Sequence, residues 1–185
     1  MQAPGNPEED QSGGFKYGGW TVPYFDDFAG KIMGQQMTPP FDLLLGRKTY
    51  DIFSAYWPQQ KGPVAESLNQ ATKYVISHQK LKLSWEKSVL INDPVVTKLR
   101  ELKTGDGPVL QVHGSGNLAQ TLLKNDLIDE LWLKIFPITL GQGKHLFSEG
   151  SIPAAFELTD SKVSPHGVIF ANYKRAGEVK TGDID

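Results

Sequence analysis

The sequence predicts an α/β fold, in which a mixed, mostly parallel sheet is flanked by helices and ends in a C-terminal antiparallel hairpin. The middle of the chain alternates short apolar runs of strand length with amphipathic helical stretches, the pattern of strands joined by crossover helices. Near the C-terminus, two strand-like runs are separated only by Pro165-His166-Gly167, which predicts a hairpin. A length of 185 residues fits one domain. We place that domain at residues 1–177 and a polar tail at residues 178–185.

The predicted elements follow one another along the chain. A segment rich in Gly, Pro and acidic residues precedes a helix at residues 26–37, which ends before Pro39. Asp93 is predicted to be the N-cap of a helix that begins with Pro94. Strands are expected at residues 42–45, 73–77, 88–91, 109–112, 130–138, 156–164 and 168–175. Further helices are expected at residues 48–56, 64–70, 94–102 and 117–124.

Charge and composition exclude several classes of function. The formal net charge of -2 gives no general attraction to nucleic acids or anionic membranes. The absence of cysteine excludes disulfides and thiolate chemistry, and the four histidines lack the spacing of metal ligands. No apolar run approaches the roughly 20 residues that span a bilayer, and the first residues do not resemble a signal peptide. We therefore expect a soluble, cytoplasmic protein without nucleic acid, membrane or metal.

The first motif with chemical meaning is LLLGRKTY, in which an apolar strand ends at Gly46 and a helix opens with Arg47, Lys48 and Thr49. A helix N-terminus offers free N–H groups and a partial positive charge. The two basic side chains and the hydroxyl add to that attraction, so the motif suits a phosphate. The alternative is an ordinary helix start that carries basic residues.

The second motif is VLQVHGSGNLA, which places Gly114, Gly116 and Ala119 between a strand and a helix. Glycines let the backbone approach a pyrophosphate, although a tight turn that needs positive φ would also use them. A third candidate, Ser77-His78-Gln79, ends a strand, where polar side chains face the crevice of an open sheet. His78 could contact phosphate or adenine, or be an exposed turn histidine.

Two phosphate-type loops and a polar strand end in one small domain indicate a dinucleotide. An ordinary Rossmann domain would carry an acidic residue near the end of the strand after the glycine loop. That strand here ends in Pro137-Ile138 with no carboxylate, and the glycine loop comes late in the chain. A fourth loop, Gly141-Gln142-Gly143-Lys144, lacks the order and the final hydroxyl of a P-loop.

The blocks LLLGRKTYDIF, KYVISHQ, VLQVHGSGNLAQTLL and DELWLKIFPITLGQGKHLF resemble, in this order, the dihydrofolate-reductase-like superfamily. The chain is most similar to the reductase domain of bacterial riboflavin biosynthesis, the C-terminal domain of the bifunctional deaminase-reductase, and to its stand-alone relatives. The resemblance runs from Met1 to Arg175. It implies an NADPH-dependent oxidoreductase that transfers hydride to a pteridine, pyrimidine or related heterocycle, as dihydrofolate reductase and the (phosphoribosylamino)uracil reductase do.

The resemblance also implies a set of cofactor-binding residues. Arg47, Lys48 and Thr49 would hold the NADPH phosphates, and Ser77 and His78 would line the adenosine 2′-phosphate end. The second motif would cradle the pyrophosphate with Gly114, Ser115 and Gly116, while Asn117 and Leu118 open the helix behind it. Arg47 beside His78 suits a 2′-phosphate and favours NADP over NAD. In dihydrofolate reductases a cis peptide joins the glycine pair of the second motif, and it would fall at Gly114–Ser115, although a cis bond outside proline is costly. The full set is Gly46, Arg47, Lys48, Thr49, Ser77, His78, Gly114, Ser115, Gly116, Asn117 and Leu118.

The N-terminal region departs from the family pattern. Relatives begin with an apolar strand that is central in the fold, and this chain starts after it, so an upstream start, a substitute segment or loss of function all stay open. The proton-donating acid would lie in the first long helix, where Asp26 or Asp27 could serve, or simply cap the helix. Trp20, Tyr24 and Phe25 could cover the acceptor or pack in the core. An NADP-binding protein without catalysis is the alternative function, and an exposed sheet edge would favour a homodimer.

Overall fold

The computed structural model describes residues 2–149 and 151–184, so the predicted domain and tail extend at Met1 and Asp185 beyond the described residues. The chain forms two compact units. One unit is the continuous segment Lys31–Thr121, and the other combines the preceding segment up to Gly30 with the following segment from Leu122. Each unit contains its own sheet, and the two are described in turn.

The first unit contains a parallel four-stranded sheet. Its strands are β1 (Phe41–Gly46), β2 (Lys73–Ile76), β3 (Ser88–Ile91) and β4 (Val109–Gly114), in the order β3-β2-β1-β4. Gly46 of β1 pairs with Ile76 of β2, and Leu45 pairs with Gly114 of β4. Because these strands are parallel and end in register, their carboxyl ends meet at one edge of the sheet.

The described residues form five α-helices, of which the first precedes β1 and the others lie between strands: α1 (Asp27–Gln36), α2 (Arg47–Tyr56), α3 (Pro63–Gln70), α4 (Val95–Thr104) and α5 (Gly116–Lys124). Each lies within two residues of its predicted bounds at either end. Short 3-10 helices occupy Ser12–Gly14, Val22–Tyr24 and Trp57–Gln59. Among the helices of the described residues, none has the length and apolar character needed to cross a membrane.

The core of the first unit is built on β1. Leu43 and Leu45 are completely buried, as is Val75 on the neighbouring strand. Burial of an aliphatic side chain of this size contributes about 1.5–3 kcal/mol. The run of consecutive apolar residues, rather than an alternating pattern, reflects a strand covered on both faces, as expected for a parallel sheet.

A buried lysine stands in the same core. Lys73 opens β2 and is fully buried, and its Nζ donates to the backbone oxygens of Asn69 at 2.6 Å and Glu86 at 3.1 Å. The ammonium also lies 4.3 Å from the ring centroid of Trp85, within the range of a cation–π interaction. Burial, followed by repulsion from Lys87, lowers the pKa of Lys73 from 10.5 to about 8.

The second unit contains an antiparallel sheet in the order β5-β7-β6, formed by β5 (Glu130–Ile135), β6 (Phe156–Val163) and β7 (Ile169–Arg175). The predicted C-terminal hairpin is therefore confirmed. The strand predicted at residues 130–138 ends earlier, at Ile135. Pro137 has no N–H to continue a ladder, and the Ile138 N–H turns back to the oxygen of Phe136 at 2.8 Å.

Two further features bear on the predictions. The described residues before Phe41 form helices and turns but no strand, which confirms that the usual first strand is absent there. β4 and β5 each form the edge of a sheet.

The prediction that Asp93 caps α4 is wrong. Pro94 precedes the helix without a side-chain cap, and the Asp93 carboxylate instead contacts His78.

We expect the stability of the protein to depend on the charge of Lys73. Its lowered pKa means that the folded state disfavours the ammonium, so this unfavourable contribution is complete below about pH 8 and disappears as the pH rises towards 10.5. The free energy of unfolding of the wild type, measured with denaturant, should therefore rise relative to Lys73→Met between pH 8 and 10. The exposed-site control Lys82→Met should show the wild-type pH dependence. Parallel pH profiles for wild type and Lys73→Met would contradict this account.

Candidate functional site

The three motifs singled out in the sequence lie at the carboxyl edge of the parallel sheet. Gly46 ends β1 and leads directly into α2, Ser77 follows β2, and Gly114 ends β4 just before α5. The carboxyl edge is where ligands bind in open α/β sheets. The three loops are thus brought together by strand pairing rather than by proximity in sequence.

The N-terminus of α2 is suited to an anion. Its N-cap residue, Gly46, has no side chain to satisfy the first N–H groups, and the first turn contains no acidic residue. Arg47 and Lys48 are exposed there, whereas most helices favour acidic residues at this end. A ten-residue helix that begins with free N–H groups and two cations presents a locally positive surface.

The first and second motifs are in direct contact. A Cβ added to Gly46 would lie 2.2 Å from the Ser115 hydroxyl, and one added to Gly114 would lie 2.7 Å from the Thr49 hydroxyl. Gly114 also has φ of 140°, a conformation that favours glycine. The absence of both side chains therefore allows the two loops to meet. The Ser115 hydroxyl lies beside the backbone of Gly46, and the Thr49 hydroxyl lies beside the backbone of Gly114, a pair of contacts that we call the cradle.

The second motif has the backbone form that the resemblance implies. The Gly114–Ser115 peptide bond is cis, and β4 continues through His113 to Gly114 instead of turning after Val112. Helix α5 follows at once from Gly116, and the Leu118 N–H points to the Ser115 hydroxyl at 3.4 Å. Leu118 is buried, so its side chain belongs to the core and its backbone alone faces the loop.

The β2 loop contributes His78 and Gln79, whereas Ser77 is turned inward. Ser77 is buried, and its hydroxyl accepts the Gln79 N–H at 3.1 Å, so it shapes the turn. The Gln79 side chain accepts a hydrogen bond from the Arg47 guanidinium, which joins the β2 loop to the start of α2. His78 and Gln79 are both exposed, and the His78 side chain, at 77% exposure, is the one that makes no hydrogen bond to Arg47.

Two carboxylates face the basic groups of the site. Asp51, one helical turn after Arg47, lies 3.5 Å from the guanidinium Nε. Asp93, which follows β3, lies 2.9 Å from His78 Nδ1. The first pairing is visible in the sequence as an i,i+4 spacing. The second depends on β2 and β3 being neighbours, and sequence reasoning missed it.

The candidate acids near α1 differ from each other. Asp26 caps the helix, since its Oδ1 accepts the Ala29 N–H at 2.7 Å. Its Oδ2 is buried without a hydrogen-bond partner among the described residues, and His166 Nδ1 stands 4.0 Å away. Asp27 is exposed at the first position of α1. Asp26 is therefore the carboxylate with an unused buried oxygen, and Asp27 is a surface residue.

The aromatic residues that the sequence singled out in the N-terminal segment differ in packing and exposure. Trp20 and Tyr24 pack edge-to-face on Phe136, with ring centroids 5.0 and 5.9 Å apart. Phe25 is 51% exposed. Ordinary packing therefore accounts for Trp20 and Tyr24, and Phe25 is the one whose ring is open to solvent.

The fourth loop lines a separate recess of about 310 Å³ in the second unit, together with the N-terminal segment. Lys144 forms an ion pair there with Asp10. Partial burial acts to raise the pKa of Asp10, but hydrogen bonds from Lys144 and Ser12 outweigh it and lower that pKa to about 2. The lysine is thus neutralised by a carboxylate of its own chain. Within residues 2–149 and 151–184, no group of three His, Asp or Glu side chains could hold a metal ion.

The fold and the loops at its carboxyl edge define this chain as an α/β protein of the dihydrofolate-reductase-like class. More specifically, the chain belongs to the RibD C-terminal domain family, whose model matches residues 2–170.

The individual relatives are distant in sequence. A structure from Shewanella sp. PV-4, named as a riboflavin biosynthesis protein, matches with a TM-score of 0.64 and 26% identity over 82% of this chain and 81% of that one. A pyrimidine reductase-like protein from Corynebacterium diphtheriae matches in fold, with a TM-score of 0.62 and 14% identity over 84% of each chain. Two Bacillus subtilis proteins are each 27% identical: YyaP over 69% of this chain and 70% of its own length, and YwjB over 58% of both.

We expect Gly46→Ala to destabilise the protein, because the new methyl group would lie 2.2 Å from the Ser115 hydroxyl. Overpacking of this kind costs about 1–3 kcal/mol, measurable as a lower denaturant midpoint. The matched control is Gly34→Ala, where the added Cβ meets nothing within 4 Å and a helical position gains propensity. Gly46→Ala combined with Ser115→Gly should recover part of the loss. Equal stability of Gly46→Ala and wild type would contradict the close approach of the two loops.

Proposed function

We propose that this protein is an NADPH-dependent reductase of a pteridine- or pyrimidine-type heterocycle. The observation that carries the proposal is the meeting of two phosphate-type loops and a polar strand end at one sheet edge, in a chain that belongs to the RibD C-terminal domain family. The name of the Shewanella relative favours the riboflavin branch of this family over the folate branch.

The residues of the sheet edge fit a dinucleotide. The free N–H groups of α2, with Arg47, Lys48 and Thr49, offer charge-assisted hydrogen bonds to phosphates. The cradle at Gly114, where a Cβ would collide with Thr49, allows a close approach of backbone and ligand. Ser115, Gly116 and Asn117 continue this surface into the start of α5.

The cofactor would supply the hydride, while the protein orients the reactants, excludes water and provides a proton. Of the two candidate acids for that proton, Asp26 is the one with a buried carboxylate oxygen. Its Oδ1 is fixed by the Ala29 N–H, so the carboxyl group is held in place, and its Oδ2 is buried with a hydrogen-bonding position unused. His166 Nδ1, on the exposed hairpin turn, lies 4.0 Å from Oδ2, which is beyond hydrogen-bonding distance.

We expect Arg47→Ala to lower the affinity for NADPH by about tenfold or more, since a charge-assisted hydrogen bond contributes about 1.5–3 kcal/mol. Binding can be followed by isothermal titration calorimetry, with NADH as a second ligand. The control Lys61→Ala removes an exposed positive charge that follows the far end of α2, a helix about 15 Å long, and should bind NADPH like the wild type. Failure of the wild type to bind either nucleotide would contradict the proposal.

Turnover separates the proposed enzyme from the alternative, an NADP-binding protein without catalysis. The absence of a first strand among the described residues motivates that alternative. NADPH oxidation should be tested with pterins and with aminopyrimidines that bear a ribosylamino group. Oxidation with an aminopyrimidine would support the reductase, whereas tight NADPH binding with no oxidation of any acceptor would favour the non-catalytic protein.

A further inference from the structure

The two basic side chains best placed for a 2′-phosphate already face carboxylates. Arg47 Nε lies 3.5 Å from Asp51, and His78 Nδ1 lies 2.9 Å and 3.1 Å from the two oxygens of Asp93. A phosphate bound between these basic groups would therefore have two carboxylates nearby. Whether each carboxylate helps or opposes that phosphate depends on how it is held.

The two pairings are not equivalent. Asp51 is a helical neighbour of Arg47 and contacts only one edge of the guanidinium, which keeps its other donors for Gln79 or a ligand. Asp93 comes from a different element, immediately after β3, and directs both oxygens at one ring nitrogen of His78. The His78 ring is thereby oriented with Nδ1 towards the carboxylate, leaving Nε2 as the nitrogen available to a ligand.

We propose that Asp93 is a specificity-determining residue, which reduces the preference of the site for a 2′-phosphate over a 2′-hydroxyl on the adenosine ribose. The inference rests on the proposed function, because it assumes that the adenosine end of the dinucleotide lies at His78. Asp93 acts through His78 and through its own charge, so it is a positioning residue.

The electrostatic reason holds for either protonation state of His78. With the ring neutral, the His78–Asp93 pair carries one negative charge, and with the ring protonated the pair is neutral. Removing the carboxylate makes the pair more positive in both cases. A phosphate monoester bears about -1.5 to -2 charges near neutral pH, while a ribose hydroxyl bears none. For charges about 6 Å apart in a water-like medium, removing one negative charge would change the affinity of such a phosphate by about threefold to tenfold.

Asp93 affects the binding of a ribose 2′-hydroxyl differently from that of a 2′-phosphate. A carboxylate near the adenosine ribose is a good acceptor for a 2′-hydroxyl, as in NAD-binding sites generally. Loss of that charge should leave NADH binding unchanged or weaken it. The quantity that reports on Asp93 is therefore the ratio of the two dissociation constants, since a general effect on folding or on the pyrophosphate contacts would change both together.

The test is Asp93→Asn, titrated with NADPH and NADH by calorimetry. Asparagine keeps an oxygen acceptor for the His78 Nδ1–H and removes only the charge. NADPH affinity should rise about threefold to tenfold, with NADH affinity unchanged or lower. Asp93→Ser, a second uncharged variant, should shift the ratio in the same direction. The gain should disappear in about 1 M salt, where the screening length is near 3 Å.

The matched control is Asp106→Asn, which removes an exposed carboxylate beyond the opposite end of α4. The ten-residue helix separates the two positions by about 15 Å, so the ratio should stay at the wild-type value. A wild type that binds neither nucleotide would overturn the proposed function, and this inference with it. A wild type that binds NADPH, with an unchanged ratio in Asp93→Asn and Asp93→Ser, would overturn this inference alone.

Discussion

β1 is hydrogen-bonded on both sides, to β2 and to β4, and the positions of the candidate binding groups depend on that double pairing. Its register sets Gly46 beside the last residue of β2 and Leu45 beside Gly114. Two loops far apart in sequence therefore start from adjacent points. Leu43 and Leu45 are completely buried at the centre of this sheet, so the paired strand is also the core of the unit.

The loop that bears His78 depends on a second, polar constraint. Tyr50 accepts the N–H groups of Ser84 and Trp85 at 3.0 Å each, and Trp85 donates its indole N–H to Asn69 at 2.8 Å. Lys73 lies over the Trp85 ring. These buried polar groups hold residues 84 and 85 against the core. The exposed turn at His78 is thus bounded by β2 on one side and by this anchored segment on the other.

Much of the fold was predictable because local patterns decide it. The bounds of β3 at 88–91 and the start of β2 at Lys73 match the predictions from apolar runs. The contacts between side chains at the site join residues that are distant in sequence, so local patterns could not predict them. Asp93 is a good N-cap by residue type, but the parallel pairing of β2 and β3 takes its carboxylate to His78. Burial of Lys73 contradicts the usual exposure of lysine and requires the Trp85 ring and two carbonyl groups to accept it.

The central claim is that a dinucleotide binds at the carboxyl edge of the parallel sheet. The most direct test is a two-dimensional ¹⁵N–¹H NMR titration of the labelled chain with NADP⁺, which binds without turnover. The account predicts that the largest amide shifts occur at Gly46–Thr49, at Ser77–Gln79 and at Gly114–Asn117. Shifts confined to the recess around Lys144, or no shifts at saturating nucleotide, would contradict it.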